Sequence, residues 1–410
     1  MRTIPDSLTP AQTWHKLSAC DRLNVETKPL SEALDYCLAE DITVLEDVPA
    51  APRSFMDGYA VRSADVATVP VRLNVSGEIL MGETPPQGLS GREAMGIPTG
   101  GYLPAAADAV VMQEDTERDG QTVVVSKAVQ AGENVQARGE DFRRGQVLFS
   151  AGQRLRPQDL AALATFGVVQ PRVVRRPIVR VISTGNELVP PGTDAPPGKI
   201  HETNSLALTA AARKFGFEAK AAGIIRDDLT EQLHAVEQAL RESDVVLISG
   251  GSSVGERDYT ISVIESFAVN RVHFHGLAIR PGNPTIFGSI GNRHIFGLPG
   301  QPVSSLVVFY QFVLPFLFHL SGETIDYVTF NRSHFRNVSA RLTQGISPLK
   351  SKTDYVRLRL SRSGGEWLAT PVLGKSASLS TLAFAQGFTV VPPGEKLLLE
   401  GSAVTVYIFP

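Results

Sequence analysis

Glycine and hydroxyl residues follow an apolar run in the stretch SDVVLISGGSSVGERDYT, residues 243–260. The residues from Val245 to Ile248 predict a buried strand, and the glycines after them let several backbone N–H groups point at one phosphate or other oxyanion. Asp258 adds a carboxylate that can hold Mg²⁺ beside the bound oxygens. Turn geometry at the end of any α/β strand explains these residues equally well. The other members of this candidate anion site are Ser249, Gly250, Gly251, Ser252, Ser253 and Gly255.

The composition is that of a soluble globular protein in a reducing compartment. The chain has 410 residues, 43% of them apolar and 20% charged, which suits roughly two to four domains. A net charge of −3 gives no reason to expect nucleic acid or an anionic membrane as a partner. Cys20 and Cys37 are too few for a disulfide framework or a cysteine zinc site, and no apolar run follows Arg2. We therefore expect a cytoplasmic protein.

The most apolar segment, residues 303–320, has about the length of a membrane span. It contains Gln311, Pro315 and His319, and it lacks the basic flanks of a membrane helix. Pro302 stands where the first turn of a helix accepts proline. The segment is therefore predicted to be a buried core or dimer helix.

Hydrophobic periodicity divides the chain into regions of different structure. Helical patterns occur at residues 8–24 and 31–39, and short β-like runs follow between 48 and 129. Strand-like and helix-like runs alternate from 177 to 320, which is typical of an α/β unit with a mostly parallel sheet. Short strand patterns after residue 322 predict a small β-barrel or sandwich.

Ligands of parallel sheets bind beyond the carboxyl ends of the strands, so the loops after these strands should converge. Glu187 and Asp227 follow the first two strands of the α/β unit. With Asp258 they predict a site for a phosphorylated ligand and a divalent cation. Asp227 has a second interpretation as a helix cap. The remaining residues predicted to line this site are Thr184, Gly185, Pro299 and Pro302.

Three further clusters lie outside the α/β unit. Asp57 and Thr99 each precede glycine and form potential oxyanion turns, although Asp-Gly is also an ordinary turn dipeptide. Asp141 lies in a charged segment that a solvated hairpin explains equally well. The C-terminal strands carry groups that would suit a small tetrahedral oxyanion, namely Arg357, Ser376 and Ser378.

Taken together, the motifs resemble one family, the molybdopterin molybdenumtransferases of the bacterial MoeA and gephyrin E-domain type. The resemblance rests on SFMDGYA, IPTGGYLP followed by DAVVMQED, RGEDF, STGNELV, IRDD, SGGSSVGERDYT, AIRPGNP and GLPGQPVSS, in that order and spacing. Each motif alone is a weak match, whereas the whole series is hard to obtain by chance. The resemblance covers essentially the whole chain.

The fold that the resemblance implies is multidomain, of the α/β plus β class. An elongated N-terminal domain would comprise residues 1–46 and 142–172, with a β domain, residues 47–141, inserted in it. A MogA-like, three-layer α/β domain that binds molybdopterin would follow at residues 173–322, and a C-terminal β-barrel at residues 323–410. The resemblance also implies a homodimer with the site in a cleft between the subunits.

The activity that the resemblance implies is insertion of molybdate into adenylylated molybdopterin, with release of AMP and with Mg²⁺ as cofactor. The SGGSSVG loop would hold the pterin phosphate region, Asp227 and Asp258 would bind Mg²⁺, and Glu187 would act as an acid or base. A MogA-like molybdopterin adenylyltransferase is an implied partner. The residues carried over as catalytic are Asp57, Thr99, Asp141, Glu187, Asp227, Asp258 and Arg280. The residues expected to contact molybdate are Arg280, Arg357, Ser376 and Ser378.

The chain departs from the family pattern at a few positions. Arg280 and Asn283 stand where lysines are usual, and Gln301 stands where asparagine is usual. Arginine keeps a permanent charge, but it cannot replace lysine as a mobile proton donor. Two other classes stay open for this reason, a non-catalytic scaffold and a related enzyme that inserts tungstate or adenylylates molybdopterin. The additional domains favour the insertion step over adenylylation.

Overall fold

The computed structural model describes residues 7–250, 259–267, 272–375, 377–395 and 397–410. The chain divides into two compact units. The smaller unit comprises Glu40–Ala151 and Ala162–Gly167, and the larger one comprises Met1–Ala39, Gly152–Ala161 and Val168–Pro410. The candidate residues Asp57, Thr99 and Asp141 therefore belong to the smaller unit, and all other candidates belong to the larger one.

Helix α1, Pro10–Ser18, opens the described part of the larger unit. Thr9 is its N-cap. The Thr9 hydroxyl accepts the Gln12 N–H at 3.3 Å, and the Gln12 side chain accepts the Thr9 N–H at 2.9 Å. This reciprocal pair is a capping box, which satisfies two N–H groups that the first turn leaves free. Helix α2 follows at Pro157–Thr165.

The helix predicted for residues 31–39 is wrong. The structure has a 3-10 turn at Leu30–Glu32 and a short strand at Cys37–Leu38. That strand pairs with Arg172–Val174, which pairs in turn with Val25–Thr27. Pairing with a distant segment therefore outweighs the local helical pattern, as is common for short elements.

A six-stranded sheet is the main element of the smaller unit. Its strand order is β4-β1-β3-β2-β6-β5, and Val61, Leu73, Val111 and Val123 are buried in its core. The sheet lies in the segment for which the sequence predicts short strands. Its strands are β1 Gly58–Val61, β2 Val71–Glu78, β3 Glu93–Ile97, β4 Ala109–Met112, β5 Thr116–Asp119 and β6 Thr122–Val125.

Two strand pairs and two 3-10 turns complete the smaller unit in the described residues. Arg53–Ser54 pairs with Val135–Gln136, and Ile42–Thr43 pairs with Val147–Phe149. The 3-10 turns are Ser63–Val66 and Gln113–Asp115.

A second six-stranded sheet forms the α/β part of the larger unit, in the order β8-β7-β9-β12-β11-β10. The first four strands of this order are parallel, and the last two run antiparallel to their neighbours. The strands are β7 Ile178–Thr184, β8 Glu218–Ile225, β9 Val245–Ser249, β10 Val272–His275, β11 Ile286–Ile290 and β12 Arg293–Leu298. The helices are α3 Asn204–Lys214, α4 Leu229–Glu242 and α5 Thr260–Phe267.

Strand β9 shows why this sheet is covered on both faces. All five of its residues are buried. Val245 and Leu247 pack in the core that contains α3, whereas Val246 and Ile248 pack with α4 and α5. Because neighbouring residues of a strand point to opposite faces, a continuous apolar run requires helices on both sides. The result is the expected three-layer α/β arrangement.

The apolar segment at 302–320 is a continuous helical run. It consists of helix α6, Pro302–Val308, a π-helical turn, Phe309–Val313, and helix α7, Leu314–Leu320. By length and composition alone it could cross a membrane, but 83% of its most apolar window is buried inside the protein. Phe309, Phe312 and Phe316 pack in the same core as β9. The prediction of a buried core helix is therefore confirmed.

A closed five-stranded β-barrel follows helix α8, Phe330–His334. Its strands are β13 Asn337–Leu342, β14 Thr353–Ser363, β15 Glu366–Pro371, β16 Gly387–Val391 and β17 Ala403–Ile408. The order β14-β15-β13-β17-β16 closes because β16 also pairs with β14. Helix α9, Ser380–Ala383, lies between β15 and β16 in sequence. Outside the barrel, Ile279–Arg280 pairs in parallel with Thr353–Asp354 of β14.

Candidate functional site

A cavity of about 510 Å³ lies at the carboxyl ends of the parallel strands. The loops after β7, β8, β9 and β12 all contribute to its wall, which is the predicted convergence. Of the residues predicted from the sequence, the wall contains Thr184, Gly185, Glu187, Asp227, Ser249, Gly250 and Pro302. We call this the strand-end cavity. The candidates Gly251, Ser252, Ser253, Gly255 and Asp258 lie outside the described residues.

Glycine is needed where these loops meet because their backbones touch. Gly250 has φ +119°, and a Cβ there would overlap the carbonyl oxygen of Thr184 and lie 2.7 Å from its Oγ1. A Cβ on Gly185 would lie 2.7 Å from Oε1 of Glu187. Backbone groups can therefore approach a ligand closely at this edge of the sheet.

Asp227 ties the loop after β8 to the loop after β7. Its Oδ2 accepts the Asn186 N–H at 3.2 Å, and Asn186 Oδ1 accepts the Asp227 N–H at the same distance. The alternative role of Asp227 as a helix cap is not what the structure shows. Asp228 is the N-cap of α4, and its Oδ1 accepts the Glu231 N–H at 2.9 Å. The carboxylate of Asp227 therefore lies in the wall of the cavity.

Thr184 and Ser249 both place a hydroxyl group in the wall of the strand-end cavity, but only Ser249 has a hydrogen-bond partner for it among the residues that the structure describes. Thr184 is buried, and its Oγ1 has no hydrogen-bond partner among the described residues. Ser249 Oγ accepts a hydrogen bond from Asn204 Nδ2 at 2.8 Å. Pro299 does not line the cavity, but its carbonyl accepts a hydrogen bond from Ser305 Oγ. Because buried hydroxyl groups are normally paired, Thr184 is available to a ligand.

The acidic residues in the wall of the strand-end cavity suit a Mg²⁺ ion that is bound partly by the protein and partly by a phosphate of the substrate. Within the described ranges, no group of three or more His, Cys, Asp or Glu side chains lies close enough to hold a metal ion. Mg²⁺ is commonly bound through one or two carboxylates plus substrate phosphates and water, not by a cage of protein ligands. Asp227 fits that mode, and Glu187 lies exposed in the same wall.

A second cavity, of about 500 Å³, lies where Arg280 meets the barrel. We call it the arginine cavity. Arg280 Nε donates to Asp354 Oδ1 at 2.9 Å, and its Nη2 donates to Oδ2. Arg357 is buried in the same wall, and its Nε has no partner in the described part of the chain. Burial lowers the pKa of Arg357, whereas the hydrogen bond to Asp354 raises the pKa of Arg280. Lys375 adds a third cation to the wall.

The serines predicted beside these arginines are not in the described wall. Ser378 does not line the arginine cavity, and its carbonyl accepts hydrogen bonds from the N–H and Oγ1 of Thr381 at 2.9 Å. Ser376 lies outside the described residues. The predicted contact of these two serines with an oxyanion stays a prediction.

The candidates in the smaller unit form a turn. Asp57 Oδ1 accepts the Thr99 N–H at 2.7 Å, so the two predicted residues are neighbours. The Asp57 carbonyl accepts the Gln113 N–H, and the Asp141 N–H donates to the Val48 carbonyl. The catalytic role of Asp57, Thr99 and Asp141 stays a prediction.

The sequence analysis missed two buried residues of the strand-end cavity, Glu202 and Asn204. Both lie in the segment HETNS at the start of α3. Thr203, the N-cap of α3, makes no side-chain capping hydrogen bond, and HETNS does not match the usual capping pattern of a hydroxyl or Asp residue followed by Glu or Gln three residues later. Their position in the cavity depends on contacts with β7 and β9 that no local pattern shows.

The described chain thus combines an α/β part that has a cavity at its strand ends with a β-barrel that has an arginine-lined cavity, which is a multidomain α/β plus β architecture. Three family models match this chain. The MoeA N-terminal region (domain I and II) matches residues 8–167, a probable molybdopterin binding domain matches 180–319, and the MoeA C-terminal region (domain IV) matches 339–409.

Named relatives and a solved structure agree with these matches. The molybdopterin molybdenumtransferase of Bacillus subtilis is 36% identical over 92% of this chain and 88% of its own length. That of Haemophilus influenzae is 37% identical over 72% of each chain. The molybdopterin biosynthesis MoeA protein from Pyrococcus horikosii superposes with a TM-score of 0.82 at 35% identity, covering 99% of this chain and 100% of that one. The chain belongs to the molybdopterin molybdenumtransferase family and is an enzyme of molybdenum cofactor biosynthesis.

Proposed function

We propose that this enzyme inserts molybdate into adenylylated molybdopterin and releases AMP in a reaction that depends on Mg²⁺. The observation that carries the proposal is the convergence of four strand-end loops on one cavity with glycines, hydroxyl groups and carboxylates in its wall. Glycine-rich backbone and hydroxyl groups suit phosphates, and a nearby carboxylate suits the metal that accompanies them.

The strand-end cavity would hold the phosphate region of the pterin substrate. Backbone N–H groups beside Gly250 and the free hydroxyl of Thr184 would donate to phosphate oxygens. Asp227 and Asp258 would hold Mg²⁺, which would neutralise phosphate charge and polarise the bond to AMP. Glu187 would move a proton at the phosphoanhydride, since it lies exposed in the same wall.

The arginine cavity would hold the molybdate substrate. A dianionic tetrahedral oxyanion needs several cationic donors, and Arg280, Arg357 and Lys375 supply them. One loop of the barrel contributes to both cavities, because Lys375 lines the arginine cavity and Ala377 lines the strand-end cavity. The two dithiolene sulfurs of the pterin would bind molybdenum, and the displaced molybdate oxygen would leave as water with the two thiol protons. A separate water molecule would hydrolyse the phosphoanhydride bond to AMP.

The finer features of this proposal concern assembly and location. We propose a cytoplasmic homodimer in which Asp57, Thr99 and Asp141 complete the site, and a MogA-like adenylyltransferase that supplies the substrate. Light scattering of the purified protein tests the dimer, which should have twice the mass of the 44.1 kDa chain.

The test of the activity is AMP release from adenylylated molybdopterin by the purified protein. We expect release that requires Mg²⁺ and is stimulated by molybdate. Release no faster than without protein would contradict the proposal, and so would full activity in both Asp227→Ala and Glu187→Ala. Tungstate in place of molybdate tests the choice of oxyanion, and ATP with free molybdopterin tests the alternative adenylylation reaction.

A further inference from the structure

We propose that Asn204 is a positioning residue for the reaction because its side chain joins two of the loops that form the strand-end cavity. Asn204 Nδ2 donates to Ser249 Oγ, at the end of β9, and to the Gly300 carbonyl, in the loop after β12, each at 2.8 Å. A carbonyl oxygen only accepts hydrogen bonds, so the amide nitrogen must face Gly300. Both of its hydrogens are then used within the protein.

A buried carboxylate fixes the segment that carries Asn204. Glu202 accepts hydrogen bonds from Ser183 Oγ at 2.8 Å, from the Ser205 N–H at 2.7 Å and from Ser205 Oγ at 2.6 Å. Ser183 belongs to β7, and Ser205 belongs to the first turn of α3. The start of α3 is therefore attached to β7 through Glu202 and to β9 and the β12 loop through Asn204.

The loops that Asn204 joins approach each other through the backbone of two glycines. A Cβ on Gly300 would lie 3.3 Å from the Cα of Gly250, so the two backbones face each other directly. Glycines allow this approach, but they provide no side chain to fix the distance. Asn204 has 9% of its surface exposed. Its hydrogen bonds are thus shielded from water and hold the spacing more firmly than exposed ones would.

This inference rests on the proposed function, in which the Gly250 loop holds the pterin phosphates. Loss of the Asn204 link should loosen Ser249 and Gly250 relative to the β12 loop and weaken binding of adenylylated molybdopterin. A displacement of about 1 Å can cost about 100-fold in activity. Molybdate binding in the arginine cavity should be unaffected, because Ser249 and Gly300, which accept the hydrogen bonds of Asn204, do not belong to that wall.

The experiment compares Asn204→Ala with Asn331→Ala in the full-length protein. Asn331 is a matched control, since it is a partly buried asparagine whose Nδ2 donates to Gln311 Oε1 at 2.9 Å away from both cavities. We expect Asn204→Ala to raise the Kd and KM for adenylylated molybdopterin about tenfold or more, with an unchanged Kd for molybdate. Asn331→Ala should change thermal stability but neither Kd.

A double-mutant cycle separates positioning from general destabilisation. Ser249→Ala removes one acceptor of Asn204, so its effect on the Kd for adenylylated molybdopterin should be smaller in the Asn204→Ala background than in the wild type. Additive effects, or a wild-type Kd in Asn204→Ala, would overturn the inference. If the wild type binds this substrate but releases no AMP, the proposed function fails, while the Kd values still decide the role of Asn204. If Asn204→Ala does not fold, the isosteric Asn204→Asp, which cannot donate, replaces it with the same expected rise in Kd.

Discussion

The two cavities of the larger unit are built from different parts of the chain. The wall of the strand-end cavity consists of backbone turns, small hydroxyl groups and carboxylates at the ends of one sheet. The arginine cavity places cationic side chains between the segment at Arg280 and the barrel, with Asp354 bound to Arg280. The first cavity suits a ligand whose charge is shared with a metal, and the second suits a free oxyanion. Changes of backbone shape should therefore impair the first cavity, and changes of charge should impair the second.

The largest effect is expected from Asp227→Asn in the strand-end cavity. Removal of the charge weakens Mg²⁺ binding, and we expect the rate of AMP release to fall roughly 100- to 1,000-fold. Asp228→Asn is the matched control, since Asp228 caps α4 and should keep nearly full activity. Equal losses of AMP release in both variants would show that Asp227, like Asp228, supports only the folded structure and does not bind Mg²⁺.

The next effect is expected from Gly250→Ala, compared with Gly223→Ala. Both glycines have positive φ, +119° and +111°, but a Cβ on Gly223 meets no atom within 4 Å. Strain alone should cost Gly223→Ala about 1–3 kcal/mol of unfolding free energy. Gly250→Ala adds an overlap with Thr184, so it should lose more stability and about 100-fold in activity. Denaturant unfolding and AMP release measure the two quantities, and similar activity in the two variants would contradict the role of backbone shape.

A smaller effect is expected from Arg357→Gln in the arginine cavity. Loss of one charge-assisted interaction of about 2 kcal/mol corresponds to roughly a 30-fold rise in the Kd for molybdate. Calorimetric titration with molybdate measures it, and binding of adenylylated molybdopterin should stay unchanged. Arg359→Gln, an exposed arginine on the same strand, should have no effect. A loss of pterin binding in Arg357→Gln would show that the cavities are not separate.

The smallest effect on ligand binding is expected from His294→Gln, at the amino end of β12. This substitution should change the pH dependence of stability instead. Burial, followed by the charge of His273, lowers the pKa of His294 from 6.5 to about 4, while Asp244 opposes the shift. Between pH 6.5 and about 4, His294 is therefore protonated in the unfolded chain but still mostly neutral in the folded protein. The stability that neutral His294 contributes is therefore present above pH 6.5 and lost as the pH falls towards about 4.

Unfolding free energies measured across this pH range check the prediction. The slope should be up to about 1.4 kcal/mol per pH unit in the wild type and smaller in His294→Gln. His15→Gln, which changes an exposed histidine, should keep the wild-type slope. Molybdate affinity at pH 7 should be the same in all three proteins.

The alternation of strands and helices in the sequence was enough to predict the strand-end cavity. It did not predict the hydrogen bonds of Asn204 and Glu202 that hold the loops of the cavity. Alternating strands and helices predict a parallel sheet, and a parallel sheet brings Glu187, Asp227 and Ser249 to one edge. Asp227 and Asp228 are adjacent in sequence, but the spacing of Asp228 and Glu231 resembles a capping box and favours Asp228 as the cap of α4, which the structure confirms. The hydrogen bonds of Asn204 and Glu202 reach β7, β9 and the loop after β12, which are distant in sequence, so no local pattern predicts them.

The sequence predicted even fewer of the contacts in the arginine cavity. Arg357 was a candidate from its residue type, and Arg280 came only from the resemblance to a family. Asp354, the partner of Arg280, was missed because a pairing between Ile279–Arg280 and Thr353–Asp354 spans distant parts of the chain. The helix predicted at residues 31–39 failed for the same reason, since its residues pair with a strand far along the sequence.

The most direct test of this division between cavities is a crystal structure of the enzyme with adenylylated molybdopterin and molybdate. Anomalous scattering from molybdenum should place the oxyanion beside Arg280 and Arg357, with the pterin phosphates beside Gly250 and Asp227. Soaks with molybdate and with tungstate alone should give the same oxyanion position. Molybdenum remote from both arginines, or pterin phosphates outside the strand-end cavity, would contradict the account.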